Sequence, residues 1–240
     1  MPAPLVVLFE DNHLLALSKP AGMLVQGDAT GDPSLLDLAK ARRKEREAKP
    51  GNVFLGLVHR LDRPVSGVIL FAKTSKAAAR LSEQFREREA AKEYLAVCRV
   101  AKPLRSPGGV WIDWLSKNEN ANQAAIVPAG AVGAREAVTE FRVLAEAGGR
   151  ALISLRPRTG RPHQLRVQVA AHFGPIVGDS KYGSTDRFGA VLALHAWKLT
   201  VAHPVSKTPL SLVAPPPESW RSLGFGPPGD FPAPTSGAAE

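Results

Sequence analysis

A single cysteine, Cys98, stands among 240 residues, which excludes an intrachain disulfide and leaves no thiolate set for zinc. It sits in an apolar run and reads as a small buried residue. No apolar stretch approaches the roughly 20 residues of a membrane-spanning helix, and residues 1–11 lack the basic start and cleavage pattern of a secretory signal. The expectation is a cytoplasmic protein without membrane association. Neither a G-x-G-x-x-G segment nor a Walker loop occurs, which argues against dinucleotide or ATP chemistry. His195 and His203 have no cysteines or acids at ligand spacing, so no metal and no cofactor are expected. Acidic residues are also scarce, 22 against 31 lysines and arginines, for a formal charge of +9. Such a chain attracts acidic polymers, nucleic acid being the commonest and an anionic membrane surface the rival. The basic residues are spread over several segments instead of lining one amphipathic face, which disfavours the membrane.

What is present is an ordinary core-forming composition, 44% hydrophobic and 22% charged, long enough for one sizeable core. Short apolar runs at residues 5–9 and 13–17 predict two strands, and Asp32-Pro33-Ser34 predicts the start of a helix. That helix runs into residues 40–49, with six basic and two acidic side chains, where a solvated face and RNA contact are both open readings. Thr74-Ser75 caps a second helix with Ala78, Leu81 and Phe85 on one face. Further strands are expected at 68–71, 93–100, 137–144, 151–155, 192–199 and 210–213. Residues 103–109 read as a loop and 111–122 as irregular. Strands spaced like hairpins outnumber helices, so the fold class is α+β: a largely antiparallel mixed sheet with flanking helices and loops in a single catalytic domain, residues 1–223. Residues 224–240, rich in Pro, Gly and Ala, cannot offset the entropy of ordering and are expected to be a disordered tail.

Two segments carry chemistry. In His59-Arg60-Leu61-Asp62-Arg63-Pro64-Val65-Ser66-Gly67, one carboxylate lies in a basic turn just before an apolar strand. Asp62 is thereby placed on a rigid support at a strand entrance. In residues 156–167, four arginines and a histidine crowd around Gly160 and two prolines, a composition suited to binding anions. Arg166 stands where an apolar helix or strand begins and needs a carboxylate partner. A structural ion pair with some other acid is as good a reading of it as a functional one.

Together these segments resemble the RluA-type pseudouridine synthases. Lys19-Pro20-Ala21-Gly22 is similar to the family's first motif, residues 59–73 to its catalytic segment, and Lys92-Glu93-Tyr94-Leu95-Ala96-Val97 to its K-x-Y-x-A-x-V strand. Gly160-Arg161-Pro162-His163-Gln164-Leu165-Arg166-Val167, with Pro175-Ile176-Val177-Gly178-Asp179 and Tyr182-Gly183, resembles its third motif. Leu194-His195-Ala196 and His203-Pro204 match its ending. The resemblance spans residues 5–220 in order. Val65 and Pro162 stand where threonine is usual, Gln168 where histidine is frequent, and Ala171-His172-Phe173-Gly174 departs from the common ending; these differences bear on subgroup and RNA target.

The resemblance implies isomerisation of uridine to pseudouridine in structured RNA, ribosomal or transfer, with no obligate protein partner and a monomeric enzyme. The N1–C1′ bond breaks, the uracil turns, and C5 joins C1′. It implies Asp62 as nucleophile or base, by attack at C1′, attack at C6 or a glycal route. The base must be flipped out of its helix. Tyr94 would stack on the uracil and assist proton movement at C5, Arg166 would form a salt bridge that keeps Asp62 ionised, and Arg60 would fill the space that the base leaves. Leu165 would line the pocket, His59 and His163 would shape the active-site turns, and Lys19, Lys73 and Arg161 would contact phosphate. Without a small RNA-binding module before Leu5, the catalytic domain itself would grip the RNA. A non-catalytic RNA-binding protein and an N-glycosidic hydrolase are the competing functions. The first is disfavoured by intact Asp62, Tyr94 and Arg166; the second would release free uracil.

Overall fold

The computed structural model describes residues 5–48, 51–100, 106–118, 122–189 and 191–225. In chain order they form β1 (Val6–Glu10), β2 (Leu14–Lys19), α1 (Leu35–Arg46), β3 (Gly56–Leu57), β4 (Ser66–Ala72), α2 (Ser75–Arg86), β5 (Ala91–Arg99), β6 (Gly108–Asn118), β7 (Gln123–Val127), β8 (Arg135–Ala147), β9 (Arg150–Pro157), α3 (Gln164–His172), β10 (Leu194–Ala202) and β11 (Pro209–Val213). Where the sequence pattern predicts one domain over 1–223, contacts divide the chain into two compact units. One comprises Met1–Lys92 and Ala196–Ala214, the other Glu93–His195 and Pro215–Glu240. Two of the crossing points fall inside β5 and β10, so no linker composition marks them. Of the expected tail, Gly224 and Phe225 are described, Phe225 being buried; residues 226–240 lie outside the described residues. Among the described residues no helix is long and apolar enough to cross a membrane.

In the first unit β2 pairs antiparallel with β1 and β4, and β10 with β11. Successive side chains of a strand point to opposite faces, and here both faces are covered. Leu14, Ala16, Val68 and Leu70 pack with Ala77 and Leu81 of α2, whereas Leu15, Leu17, Ile69 and Phe71 pack with Leu35 and Ala39 of α1. Each such side chain contributes roughly 1.5–3 kcal/mol on burial. Double burial is why β4 reads as an unbroken apolar run. Both helices start on hydroxyl caps: Ser34 Oγ accepts from the Asp37 N–H at 3.2 Å and Thr74 Oγ1 from the Ala77 N–H at 3.2 Å. Of the basic run on α1 only Arg43 turns fully inward among the described residues. Arg43 is buried and donates to the carbonyls of Phe54 (2.7 Å) and Lys73 (3.4 Å), while Arg42 and Arg46 pair with Glu10.

The second unit is built on the antiparallel order β5-β9-β8-β6-β7. Residues 111–118, expected to be irregular, are most of β6. The expectation fails because one face of that strand is open: Val110 and Ile112 are exposed, whereas Trp111 and Leu115 point inward. Trp111 stacks between Phe141 (4.4 Å) and His172 (4.8 Å). Cys98 is buried, and burial pushes its thiol up to about 12, so it is inert at physiological pH. The segment around Arg166, open between helix and strand in the sequence, is the helix α3.

Candidate active site

The Asp62 turn connects β3 to β4 and is closed by a hydrogen bond from the Val65 N–H to the Asp62 carbonyl at 3.0 Å, with Arg63 and Pro64 at its centre. Gly67, just inside β4, has φ of 122°, and a Cβ there would overlap the backbone of Ala196; only glycine lets β4 approach β10 this closely. Asp62 and Arg60 are exposed.

Lys19 fixes the turn from beneath. Its side chain is 1% exposed, and Nζ donates to the carbonyls of Pro20 (3.0 Å), Met23 (2.7 Å) and Arg63 (3.0 Å). The Gly22 N–H adds a bond to the Arg63 carbonyl at 2.8 Å, and Arg63 Nε returns one to the Gly22 carbonyl at 3.0 Å. The Lys19-Pro20-Ala21-Gly22 turn is thus locked onto the residue beside Asp62. Burial pulls the Lys19 ammonium down to about 7, opposed by the charge of Asp62 and reinforced by that of Arg63. The expectation that Lys19 contacts phosphate is corrected: its three protons are used by carbonyls away from solvent. Lys73 is likewise buried, bonded to Glu10 and to the carbonyl of Asp11, and is not available to phosphate.

His59 supports the other flank. β3 pairs with β4 only at Gly56 and Leu57, and His59 Nε2 takes over as acceptor for the Leu70 N–H at 3.0 Å. Its ring stacks on Phe85 at 4.8 Å. Desolvation, helped by the charge of Lys92, holds the imidazole down at about 3, so it is neutral and can act as that acceptor. His59 thereby ties the segment before Asp62 to β4 and α2.

The remaining candidates lie in the second unit. Tyr94 is on β5 opposite Leu155 of β9. Its neighbour Glu93 is buried and accepts from Ser154 Oγ (2.8 Å) and Arg156 Nη2 (3.2 Å). Arg158 Nε donates to Glu140 at 2.6 Å and Arg161 Nε to the Glu136 carbonyl at 2.9 Å. Arg166 forks onto Asp179, Nε to Oδ2 and Nη2 to Oδ1, both at 2.7 Å. Each arginine of residues 156–166 thus has an acceptor within the protein, while Arg156 and Arg158 keep exposed side chains. Asp62 and Arg166, expected as an ion pair, belong to different units. Leu165 is buried on α3. His163 has φ of 54° at the start of that helix, and its Nδ1 is 2.9 Å from the Tyr182 hydroxyl.

Sequence reasoning gave no role to Gln164, Asp179 or Tyr182. Gln164 Oε1 accepts from the Arg161 N–H (3.0 Å) and Thr159 Oγ1 (2.8 Å), and its Nε2 donates to the Val138 carbonyl (3.1 Å) and Thr139 Oγ1 (2.9 Å). It thereby ties the loop before α3 to β8. Asp179 and Tyr182 stood inside a recognisable motif, but their acceptor and ring contacts exist only once α3 and the turn after it have met.

An exposed aspartate on a clamped turn, with a tyrosine and a buried arginine fork elsewhere in the chain and a surplus of positive charge, fits chemistry on a nucleic acid. Residues 13–171 match the model of the RNA pseudouridylate synthase family, and the chain belongs to that family. It is an RNA pseudouridine synthase of RluA type, converting uridine to pseudouridine. Among its relatives is ribosomal large subunit pseudouridine synthase D of Xanthomonas campestris, 36% identical over 92% of this chain and 68% of that one. Another is tRNA pseudouridine synthase C of Haemophilus ducreyi, 35% identical over 90% of this chain and 93% of that one. The solved structure of human RNA pseudouridylate synthase domain containing 4 superposes with a TM-score of 0.74 at 27% identity, covering 91% of this chain and 93% of its own.

Proposed function

We propose that the chain acts as a cytoplasmic monomer on specific uridines of structured ribosomal or transfer RNA, and that Asp62 carries the reaction. The observation that supports this most is the clamping of the Asp62 turn, by Lys19 on one side and by Val65 and β4 on the other, around a carboxylate that stays exposed. The target uridine is flipped from its stack, at roughly a few kcal/mol. Asp62 then acts at the ribose as the N1–C1′ bond breaks. After the uracil turns, C5 bonds to C1′ and the hydrogen on C5 leaves to solvent. No net oxidation occurs. Tyr94 stacks on the uracil and assists the C5 proton, Leu165 lines the pocket, and Arg60 occupies the space left by the base. Arg166 provides the positive charge needed when RNA excludes water, where an ion pair is worth more than in bulk. His59 and His163 hold their turns, and Arg161 contacts the RNA backbone.

The test is to incubate unmodified ribosomal and transfer RNA transcripts with the protein and map pseudouridine by carbodiimide adducts that stop reverse transcription. New stops at discrete uridines in one class identify the substrate. Absence of stops in both classes, with RNA binding retained, overturns the proposal in favour of a binding protein, and release of free uracil overturns it in favour of a hydrolase.

A further inference from the structure

Arg166 is held more closely than a cation on a helix needs to be for stability. It is 7% exposed and its partner Asp179 is not exposed at all. The two make a bidentate contact at 2.7 Å on each arm, the fork that fixes both position and plane of a guanidinium. The Tyr182 ring lies 5.2 Å from the guanidinium carbon, within the range of a favourable cation–π contact.

The cradle is itself braced. Gly178 has φ of 84°, and a Cβ there would strike the carbonyl of Val191, so the backbone entering Asp179 takes a course open only to glycine. The Asp179 carbonyl accepts from the N–H groups of Tyr182 (3.1 Å) and Ser184 (2.9 Å). The Tyr182 hydroxyl accepts from the Ala124 N–H of β7 at 2.9 Å and meets His163 Nδ1 at 2.9 Å. Gln123 Nε2 donates to the Lys181 carbonyl at 2.9 Å and Lys181 Nζ to the Asn122 carbonyl at 3.0 Å. A five-residue stretch is thus stitched to a strand on one side and to the start of α3 on the other. A plain ion pair would hold α3 in place without this bracing.

We propose that Asp179 and Tyr182 are positioning residues for the isomerisation. They act through Arg166, whose guanidinium they hold in one position and plane. The inference rests on the proposed catalytic role of Arg166. It assigns no contact of Asp179 or Tyr182 with RNA. Losing the cradle lets the guanidinium turn, and a displacement of about 1 Å in a catalytic group costs up to about 100-fold in rate.

The experiment measures single-turnover pseudouridine formation at saturating protein, with RNA affinity from filter retention, for Asp179→Asn, Tyr182→Leu and Arg166→Lys and for each cradle change combined with Arg166→Lys. Asp179→Asn and Tyr182→Leu are each expected to slow the step by about 10- to 100-fold, with affinity within about twofold. Combined with Arg166→Lys they are expected to add nothing further, because residues that act through one group are not additive. If Asp179→Asn does not fold, Tyr182→Leu reads the same quantity on its own. Wild-type rates from the cradle variants beside a slow Arg166→Lys overturn the inference and leave the role of Arg166 standing. Losses that multiply in the Arg166→Lys background also overturn it, since they mark an independent structural effect. A wild-type rate from Arg166→Lys removes the catalytic role of Arg166, and the inference with it.

Discussion

Replacing Lys19 by methionine keeps a long unbranched side chain and removes the charge and three donors of the ammonium. At the bottom of the Asp62 turn this leaves the carbonyls of Pro20, Met23 and Arg63 without the ammonium. Charge-assisted hydrogen bonds of this kind contribute about 1.5–3 kcal/mol each. Against them stands desolvation, which brings the ammonium down from 10.5 to about 7. Leaving these carbonyls without a donor in a buried turn puts the net loss for Lys19→Met near pH 7 at about 1–3 kcal/mol. The sign of the pH dependence follows from the direction of the shift. Between about 7 and 10.5 the unfolded lysine holds a proton that the folded one has released, so wild-type stability rises with pH at up to about 1.4 kcal/mol per unit. Methionine has no such term, and the deficit of the variant should widen by about 2 kcal/mol between pH 7 and pH 9. Denaturant unfolding of both proteins at pH 6, 7, 8 and 9 measures this directly. A variant as stable as wild type throughout, or a deficit that narrows with pH, refutes the structural role given to Lys19. Because the lost bonds include one to Arg63, turnover of Lys19→Met should fall even at temperatures where it is fully folded.

Other outcomes follow from the same geometry. Gly67→Ala places a Cβ against the Ala196 backbone at a positive φ, and the variant should fail to give a cooperative thermal transition by circular dichroism. His59→Leu leaves the Leu70 N–H without its acceptor, at about 1–3 kcal/mol by denaturant unfolding, whereas His59→Gln retains an acceptor and should lose less. Since His59 is depressed from 6.5 to about 3, the unfolded state takes up a proton first as pH falls below 6.5. The wild type should therefore lose stability between pH 6.5 and 3 by a component that His59→Gln lacks. Ser34→Ala and Thr74→Ala each remove a helix cap and should cost about 1 kcal/mol, read as a fall of about 2–4 °C in Tm.

The parts legible in the sequence are those fixed by local chemistry. Ser34 and Thr74 announce α1 and α2, and the apolar stretch from Val68 to Phe71 reads as a buried strand. The Asp62 turn is written in Arg63, Pro64 and Gly67. What the sequence hides is set by residues that meet only in three dimensions. Lys19 looks like a strand-end lysine until Met23 and Arg63 bring their carbonyls to it. The arginines of 156–166 read as an anion-binding set, but their pairing with Glu93, Glu140 and Asp179 is invisible in the sequence. Residues 111–118 miss the usual strand signature because Ile112 faces outward and Asp113 inward, reversing the pattern of a half-buried strand. The division into two units is silent because β5 and β10 run through it.

The most direct measurement uses RNA carrying tritium at uracil C5, incubated with the wild-type protein and with Asp62→Asn. Bonding C5 to C1′ must expel that tritium into water. The expected result is release by wild type, none by Asp62→Asn although it binds the RNA, and no free uracil in either reaction. Release by Asp62→Asn at the wild-type rate would contradict the assignment of the reaction to Asp62.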